Sequence, residues 1–459
     1  MALLSTKLRR RLAVAVAILV TATAVFVAGW ILPTATGYAA KNACSSVFVS
    51  GMDLQRITEQ DLAVMPYVSL DVDRTNKTVR ATVVGLAGRT AVHRDGLGCA
   101  LAVDVDPASL RAQAWEPLRS VAPDAEWPEG ERVSTPPETE GLDRAALDAA
   151  VAEIFTEPNA DSLRLTRAVV VVHDGRIVAE QYADGFDKSS PLLGWSMTKS
   201  VTNALVGILV GRGALDIMKP APVSAWANDS RKAITLDQLL RMSSGLHFEE
   251  VYGPLTDATR MLFEVDDAAA LATRQPLAVD PDTTFSYSSG TSNIVSRIVR
   301  DQFDSLSAYH RFPNEALFGP VGMRTAVLET DGSGTFVGSS FMYASARDWA
   351  RFGLLYLRDG MWGDVRILPE GWAAYSGRAT PTAKQGEYAA HFWANAGGKL
   401  AHVPRDAYWA SGFQGQAVLI VPSRNAVIVR LGLTHDRPSW DLDAFATAVL
   451  AALPPPRAP

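Results

Sequence analysis

The pattern of apolar and polar positions divides the chain into regions with different periodicities. Leu12 to Leu32 contains no charged residue. Residues 41–133 hold short runs rich in β-branched residues, separated by turn signals, which is typical of strands. The stretch 134–141 is rich in proline and charge, which predicts a linker. We therefore predict a small β-rich domain over 41–133 and a larger domain over 142–453, followed by a short tail, 454–459.

The larger region carries the pattern of an α+β domain with one antiparallel sheet. A helical period starts at Asp143, and "AVVVVHDGRIVAEQYA" then predicts a hairpin whose turn is Asp174-Gly175. Near the C-terminus, three strand patterns, "YWASG", "QAVLIVP" and "AVIVRLGL", precede a helical stretch from Trp440 to Leu453. The residues between these two sets are mainly helical. We expect a sheet built from both ends, flanked by the terminal helices, with a helical insertion beside it and the functional site where the two meet.

The N-terminal apolar run is long enough to cross a bilayer, since a spanning helix needs ~20 such residues. Residues 1–11 carry four basic side chains, and the positive-inside rule places them in the cytoplasm. We predict a transmembrane anchor over 12–32 in the inner membrane, with the rest of the chain on the periplasmic side. A cleaved signal peptide ending near Ala39 or Ala40, which would release a secreted protein, is the alternative.

Composition and charge narrow the possible partners. The 459 residues carry a net charge of -6 and no basic run beyond the N-terminus, so we expect no nucleic-acid binding. The only two cysteines, Cys44 and Cys99, follow the apolar run, and we predict a disulfide in an oxidising compartment rather than two separate thiols. The seven histidines are scattered and the cysteines lie far apart, so we predict neither a metal nor a cofactor. The sequence does not predict an oligomeric state.

Ser196 and Lys199 form the first candidate for chemistry, in "GWSMTKSVTNALVGILVGRG". Among nine lysines, only Lys199 follows a serine by three positions. Residues three apart share a helix face, and a serine at the start of the helix also feels the positive end of its dipole. The helix that follows is apolar almost all round, so the lysine should be desolvated and its pKa lowered towards that of a base. The alternative is a capping serine followed by a solvated lysine.

Two further stretches follow in the order that such a site needs. "FSYSSGTSN" places Tyr287 before a helix, and a phenolate close to a lysine ammonium can shuttle protons. "SGFQGQAVLIVP" places Gly412 and Gly415 before a strand, where a main-chain N–H could face a substrate oxygen. Taken singly, a buried structural tyrosine and an ordinary glycine turn are the alternatives.

In combination these motifs resemble the serine β-lactamase and penicillin-binding superfamily, on the branch of class C β-lactamases, D-amino-acid peptidases, esterases and 6-aminohexanoate-dimer hydrolases. "ITLDQLLRMSSGL" and "ASARDWARFGLLYLRDGMW" are also typical of that branch. The resemblance covers about 142–453 and implies a β-lactamase-like fold. It implies Ser196 as the acylated nucleophile, Lys199 as its activating partner and Tyr287 as a proton shuttle. The oxyanion hole would use the backbone N–H groups of Ser196 and Gln416.

Two departures from the family pattern bear on the substrate. Ser289 stands where β-lactamases usually have asparagine, and Phe413 replaces the lysine or histidine that helps to bind a substrate carboxylate. An aromatic ring cannot make that charge-assisted bond, so we expect poor β-lactamase activity. Gly415 and, in the preceding helical region, Tyr252 and Asp257 are further candidates for substrate contact.

The sequence thus predicts a serine hydrolase that acts on small linear amides or esters. A peptidase or penicillin-binding enzyme acting on cell-wall peptides is the second possibility. A non-catalytic binding module on the same fold is a third, and the presence of Ser196, Lys199 and Tyr287 together argues against it.

Overall fold

The computed structural model describes residues 6–113, 115, 124–133 and 140–455. Most of the predicted linker at 134–141 and of the predicted tail at 454–459, together with residues 1–5, therefore lies outside the described part of the chain.

The α-helices of the described residues range from single turns to long helices. They are α1 Thr6–Phe26, α2 Leu32–Phe48, α3 Leu54–Arg56, α4 Pro107–Arg111, α5 Arg144–Glu153, α6 Thr198–Gly211, α7 Leu236–Leu240, α8 Asp257–Phe263, α9 Ala268–Thr273, α10 Ser289–Arg300, α11 Leu306–Pro313, α12 Gly319–Val321, α13 Ala346–Leu357, α14 Trp372–Gly377 and α15 Leu442–Ala452.

The strands form antiparallel pairs throughout the sheets described. They are β1 Ser69–Asp73, β2 Thr78–Val83, β3 Leu86–Arg94, β4 Gly98–Ala102, β5 Thr166–His173, β6 Arg176–Tyr182, β7 Leu192–Leu193, β8 Val327–Leu328, β9 Met342–Ala344, β10 Met361–Trp362, β11 Val365–Arg366, β12 Trp393–Ala394, β13 Tyr408–Gly412, β14 Gln416–Val421 and β15 Ala426–Gly432.

A six-stranded sheet in the order β12-β13-β14-β15-β5-β6 is the centre of the larger region. It confirms the prediction that strands from both ends of the domain pair, because β15 lies beside β5 with Val429 opposite Val170. The β5–β6 turn also forms as predicted, with Asp174 at φ 48° and Gly175 at φ 74°. Both residues adopt the left-handed conformation that a tight hairpin turn needs.

Helices cover both faces of this sheet, and every position of β5 and β15 is buried. On one face, α5 and α15 pack together over the sheet and contribute Leu147, Val151 and Phe445 to one apolar cluster. On the other face, α13 packs against β14, β15 and β5. Strands buried on both sides need continuous apolar runs rather than alternation, which explains the valine-rich sequences of β5 and β15.

The N-terminal module, residues 32–102, combines the antiparallel sheet β1-β2-β3-β4 with helix α2. Helix α2 packs against β2, β3 and β4, and the Cys44–Cys99 disulfide ties it to β4 with a Cα–Cα distance of 6.1 Å. The predicted disulfide and strands are therefore confirmed. The predicted start of this domain at residue 41 stays a prediction; in the structure, α2 begins earlier, at Leu32, and packs against the sheet.

Buried polar contacts fix the N-terminal module to the larger region. The carboxylate of Glu329 forms an ion pair with Lys41, accepts a hydrogen bond from the Ser45 hydroxyl at 2.8 Å and accepts one from the Cys99 N–H at 2.6 Å. Glu329 is completely buried, so these donors replace the water that its charge loses. The module and the larger region also share one apolar core.

None of the helices in the described residues is both long enough and apolar enough to cross a membrane. The predicted transmembrane helix over 12–32 is therefore not supported. The apolar run is divided among three segments, since α1 ends at Phe26, a π-helical turn occupies Val27–Ile31, and Leu32 already belongs to α2.

Candidate active site

Ser196 lies on a tight turn directly before α6. A 3₁₀ turn spans Trp195–Met197, and the N–H of Met197 donates to the carbonyl of Gly194 at 3.1 Å. Trp195 has φ 47°, a left-handed conformation that is strained for a bulky residue. The indole N–H of Trp195 donates to Gln414 Oε1 at 3.1 Å, and this contact helps to hold the strained turn. Ser196 is thereby fixed, half-buried, at the N-terminal end of α6.

Lys199 is buried one turn later and points at the serine. Its Nζ donates to Ser196 Oγ at 3.1 Å, to Ser289 Oγ at 2.9 Å and to the carbonyl of Ser339 at 3.1 Å. Burial lowers the pKa of Lys199 to about 8, and the carboxylate of Glu250 opposes part of that shift. The structure thus brings Ser196 and Lys199 together in the predicted way. A lysine with this pKa can act as a base near neutral pH.

Tyr287 lies against the same lysine, with its ring centroid 4.8 Å from Lys199 Nζ. The ring stacks on Trp393 at 5.6 Å and meets the edge of Tyr388 at 5.7 Å. Burial raises the pKa of Tyr287 well above its usual range, and hydrogen bonding to Ser196 only partly opposes this rise. The residue is in the predicted place, but the predicted phenolate is not supported, because a buried tyrosine of this pKa is a neutral phenol.

Glu250 is a part of the site to which the sequence analysis assigned no role. Its two carboxylate oxygens accept hydrogen bonds from the N–H of Ser289 at 2.6 Å and from the hydroxyl of Ser289 at 2.5 Å. Ser289 is completely buried on the first turn of α10 and connects Glu250 to Lys199. Glu250 precedes α8 in a stretch without regular secondary structure, where no periodic pattern indicates what a side chain faces.

Three aromatic rings line the site beside the serine. The ring of Phe413 stacks on Tyr252 at 5.5 Å and packs edge-on against Trp195 at 5.6 Å. Tyr252 and Phe413 are 40% and 38% exposed, so their outer faces are open to a bound molecule. Burial around the Tyr252 hydroxyl, with the charge of Glu250, raises the pKa of Tyr252. The structure therefore places both predicted residues at the site.

Asp257 serves the site indirectly. Its carboxylate accepts a hydrogen bond from the N–H of Glu249 at 3.0 Å and lies 3.8 Å from His247. These contacts fix the segment that carries Glu250 and Tyr252. The substrate contact that the sequence analysis expected of Asp257 stays a prediction.

Gly412, at the end of β13, contacts the turn that carries the serine. A Cβ built on Gly412 would lie 2.1 Å from the carbonyl oxygen of Gly194, so the two backbones are closer than any other residue type allows. Phe413 follows directly, so its main chain lies next to the Ser196 turn.

Gln416 starts the opposite strand of this hairpin, and Gly415 ends the turn that leads into it. Gln416 pairs with Gly412, and its buried side-chain amide exchanges hydrogen bonds with Gly432, donating to its carbonyl at 2.5 Å and accepting from its N–H at 3.0 Å. Gly415 has φ 82°, and a Cβ there would lie 2.5 Å from Arg430 Nη1. Both residues are thus held against β15.

His391 contacts the main chain of Lys199, and the sequence analysis did not identify this residue. Its Nδ1 lies 3.1 Å from the carbonyl of Lys199, and its Nε2 lies 3.2 Å from Ser292 Oγ. Burial and the neighbouring Lys199 lower its pKa to about 3, so the ring is neutral. Because a carbonyl only accepts, Nδ1 carries the proton.

These residues place the Ser196 hydroxyl beside a buried lysine and a buried tyrosine, which is the kind of arrangement that serine acyl transfer uses. Among the residues that the structure describes, no group of three or more His, Cys, Asp or Glu side chains is placed to hold a metal ion.

The fold and site define a protein of the β-lactamase type. The family model described as Beta-lactamase matches residues 151–452, and the chain belongs to this family. A 6-aminohexanoate-dimer hydrolase of Paenarthrobacter ureafaciens is 25% identical over 306 residues, covering 59% of this chain and 73% of the relative. This confirms the resemblance inferred from the sequence.

Solved structures show the same fold. A putative 6-aminohexanoate-dimer hydrolase from Bacillus anthracis matches with a TM-score of 0.52 and 22% identity, covering 63% of this chain and 78% of the other. A family VIII carboxylesterase matches with a TM-score of 0.54 and 16% identity, covering 68% and 97%.

Proposed function

We propose that this protein is a serine hydrolase that cleaves small linear amides or esters through an acyl-enzyme on Ser196. The observation that carries the proposal is the buried Lys199, whose Nζ lies 3.1 Å from Ser196 Oγ. Two of the similar proteins are named as a 6-aminohexanoate-dimer hydrolase and a carboxylesterase, which supports hydrolysis as the reaction class.

Acylation begins when neutral Lys199 takes the Ser196 hydroxyl proton while Ser196 Oγ forms a bond to the substrate carbonyl carbon. The carbonyl π electrons move to oxygen and give a tetrahedral oxyanion. As the oxyanion collapses, the bond to the leaving nitrogen or oxygen breaks. The Tyr287 phenol donates its proton to that leaving group and is reprotonated by the Lys199 ammonium.

Deacylation repeats these steps with water as the nucleophile. A water molecule loses a proton to neutral Lys199 as its oxygen bonds to the acyl carbon. The second tetrahedral oxyanion then collapses, the bond to Ser196 Oγ breaks, and the Lys199 ammonium returns a proton to Ser196. Acid product leaves, and the enzyme is regenerated with the same protonation.

The oxyanion is proposed to bind the N–H groups of Ser196 and Phe413. We prefer Phe413 to the predicted Gln416 because Gly412, the residue before Phe413, contacts the nucleophile turn, whereas Gly415, the residue before Gln416, lies against Arg430. Two preorganised N–H donors are the usual means of stabilising such an oxyanion.

The substrate is proposed to carry an uncharged, apolar group beside the scissile bond. The outer faces of Tyr252 and Phe413 offer an apolar surface, and the nearby Glu250 carboxylate disfavours an anionic substrate. This supports the expectation of poor β-lactamase activity, and we extend it to cell-wall peptides that carry a carboxylate.

We also propose that the catalytic region functions outside the cytoplasm. The Cys44–Cys99 disulfide supports this proposal, because such bonds persist mainly in oxidising compartments.

The test compares initial rates of hydrolysis of p-nitrophenyl butyrate, butyryl anilide and the chromogenic β-lactam nitrocefin by wild-type protein, Ser196→Ala and Lys199→Met. We expect ester or anilide turnover that both substitutions abolish, with nitrocefin turnover much slower. Turnover that survives in Ser196→Ala, or wild-type protein inactive on all three substrates, would contradict the proposal.

A further inference from the structure

A chain of hydrogen bonds leads from the nucleophile to a carboxylate. Lys199 Nζ lies 2.9 Å from Ser289 Oγ, and Ser289 Oγ lies 2.5 Å from Glu250 Oε1. A carboxylate only accepts, so the single hydroxyl proton of Ser289 is committed to Glu250. The oxygen of Ser289 is therefore left as an acceptor for Lys199.

Because the Ser289 hydroxyl proton bonds to Glu250, the direction of the Lys199 lone pair is fixed. Neutral Lys199 has two N–H donors and one lone pair, and it has three neighbours. The carbonyl of Ser339 can only accept, and Glu250 makes Ser289 an acceptor as well. Both N–H donors then go to these two oxygens, which leaves the lone pair facing the Ser196 hydroxyl.

We propose that Glu250 is a positioning residue that acts through Ser289 to aim the Lys199 lone pair at the Ser196 proton. Without the carboxylate, the Ser289 hydroxyl is free to rotate and donate to Lys199, which occupies the lone pair that Ser196 needs. Glu250 itself does not touch the reacting atoms. The inference rests on the proposed function, since it assigns a role within the same acylation step.

The effect of Glu250 on the pKa of Lys199 can be measured from the pH dependence of the rate, because the other groups that face Lys199 do not change charge in the working pH range. They are the carboxylate of Glu250, the ring of Tyr287 and the imidazole of His391, with Tyr252 beside them. Burial raises the pKa of both tyrosines and lowers that of His391 to about 3, so all three stay neutral from about pH 5 to about pH 9. Removing the charge of Glu250 should therefore lower the pKa of Lys199 below about 8.

The experiment follows phosphonylation of the full-length protein by a fluorophosphonate across pH. In this reaction Ser196 Oγ bonds to phosphorus, fluoride leaves and Lys199 takes the hydroxyl proton, so the rate reports the lysine base without a known substrate. The variants are Glu250→Gln, Ser289→Ala and the double variant. Glu249→Gln is the matched control, because Glu249 is exposed and only its backbone is held.

We expect Glu250→Gln to lower the plateau rate by about tenfold to a hundredfold, part of the 10²–10⁴-fold that a positioned base contributes. The acidic limb of its pH profile should move to lower pH, which a merely structural loss does not produce. Ser289→Ala should lower the plateau similarly, because the second N–H donor then turns to Ser196. The double variant should be no slower than the slower single variant, and Glu249→Gln should match wild type.

Several results would overturn the inference. One is a Glu250→Gln profile with an unmoved limb or an unchanged plateau. Another is a double variant whose loss equals the product of the two single losses. If Glu250→Gln unfolds, a Ser289→Ala plateau equal to that of wild type contradicts the inference, and a reduced plateau supports it. Wild-type protein that is not labelled at Ser196 would instead contradict the proposed function.

Discussion

The contact between Gly412 and the nucleophile turn gives a sharp mutational prediction. In Gly412→Ala, the new Cβ would lie 2.1 Å from the carbonyl oxygen of Gly194 and 3.0 Å from the Cβ of Gln416. Carbon and oxygen cannot approach that closely, so the strand and the turn must separate by about 1 Å. A displacement of this size at a catalytic group costs about 10²-fold in rate. Overpacking should also lower the free energy of unfolding by about 1–3 kcal/mol.

The assay is the rate of Ser196 phosphonylation, measured beside the melting temperature. Gly253→Ala is the control, because the nearest atom to its new Cβ is a methyl group of Thr256 at an ordinary 3.7 Å. We expect Gly412→Ala to react about a hundredfold more slowly at temperatures where it is folded, while Gly253→Ala reacts like wild type. A folded Gly412→Ala protein within about twofold of the wild-type rate would refute the proposal that this contact positions the Phe413 N–H at the oxyanion.

Two further predictions concern stability. Lys41→Met leaves a buried carboxylate without its ion-pair partner and should lower the free energy of urea unfolding by about 3–5 kcal/mol. The control is Lys77→Met, in an exposed pair, which should change the free energy of unfolding by less than about 1 kcal/mol. Equal effects of the two substitutions would contradict this reasoning. The pKa of His391 falls from 6.5 to about 3 on folding, so its contribution to stability is complete above about pH 6.5 and is lost as the pH falls towards 3. Between pH 7.5 and pH 5, the free energy of unfolding of the wild type should fall by about 2 kcal/mol on account of His391, and His391→Asn, which can keep the hydrogen bond to the Lys199 carbonyl, should not show this part of the fall. An unchanged pH dependence of stability in His391→Asn would contradict the prediction.

The sequence predicted those parts of the fold that depend on local pattern. The Asp174-Gly175 turn, the apolar runs of β5 and β15, and the helix starting near Asp143 each have a periodicity or a turn signal of their own. In the structure, Asp143 caps α5 by accepting a hydrogen bond from the N–H of Ala146. The spacing of Ser196 and Lys199 likewise lies within one helical turn, so local geometry sufficed to predict their contact.

Residues that reach the site from distant parts of the chain could not be predicted in this way. Glu250 contacts Ser289 from an irregular segment, and His391 contacts Lys199 across the fold, so neither has a local pattern that indicates its partner. The hairpin "SGFQGQ" carries two glycines three positions apart, and both fit a close backbone approach. Only the tertiary structure shows that Gly412 meets the Ser196 turn, whereas Gly415 meets Arg430.

The N-terminal apolar run shows what a hydropathy pattern leaves out. The run of 12–32 satisfies a length criterion for a span, and in the structure its helix changes geometry at Val27 and continues into the buried helix α2. Small residues of α2, such as Ala39, Ala40 and Ala43, allow it to pack closely on the sheet of the N-terminal module. The hydropathy of a sequence window does not indicate which helix face packs on a sheet.

The central claim is that Lys199 activates Ser196 as a nucleophile. The most direct test treats the full-length protein with a fluorophosphonate, records the intact mass, and locates the adduct by peptide sequencing. The account predicts one adduct, on Ser196, that is lost when Lys199 is replaced by alanine in a protein that still folds. A folded wild-type protein that forms no adduct, or that carries the adduct on another residue, would contradict it.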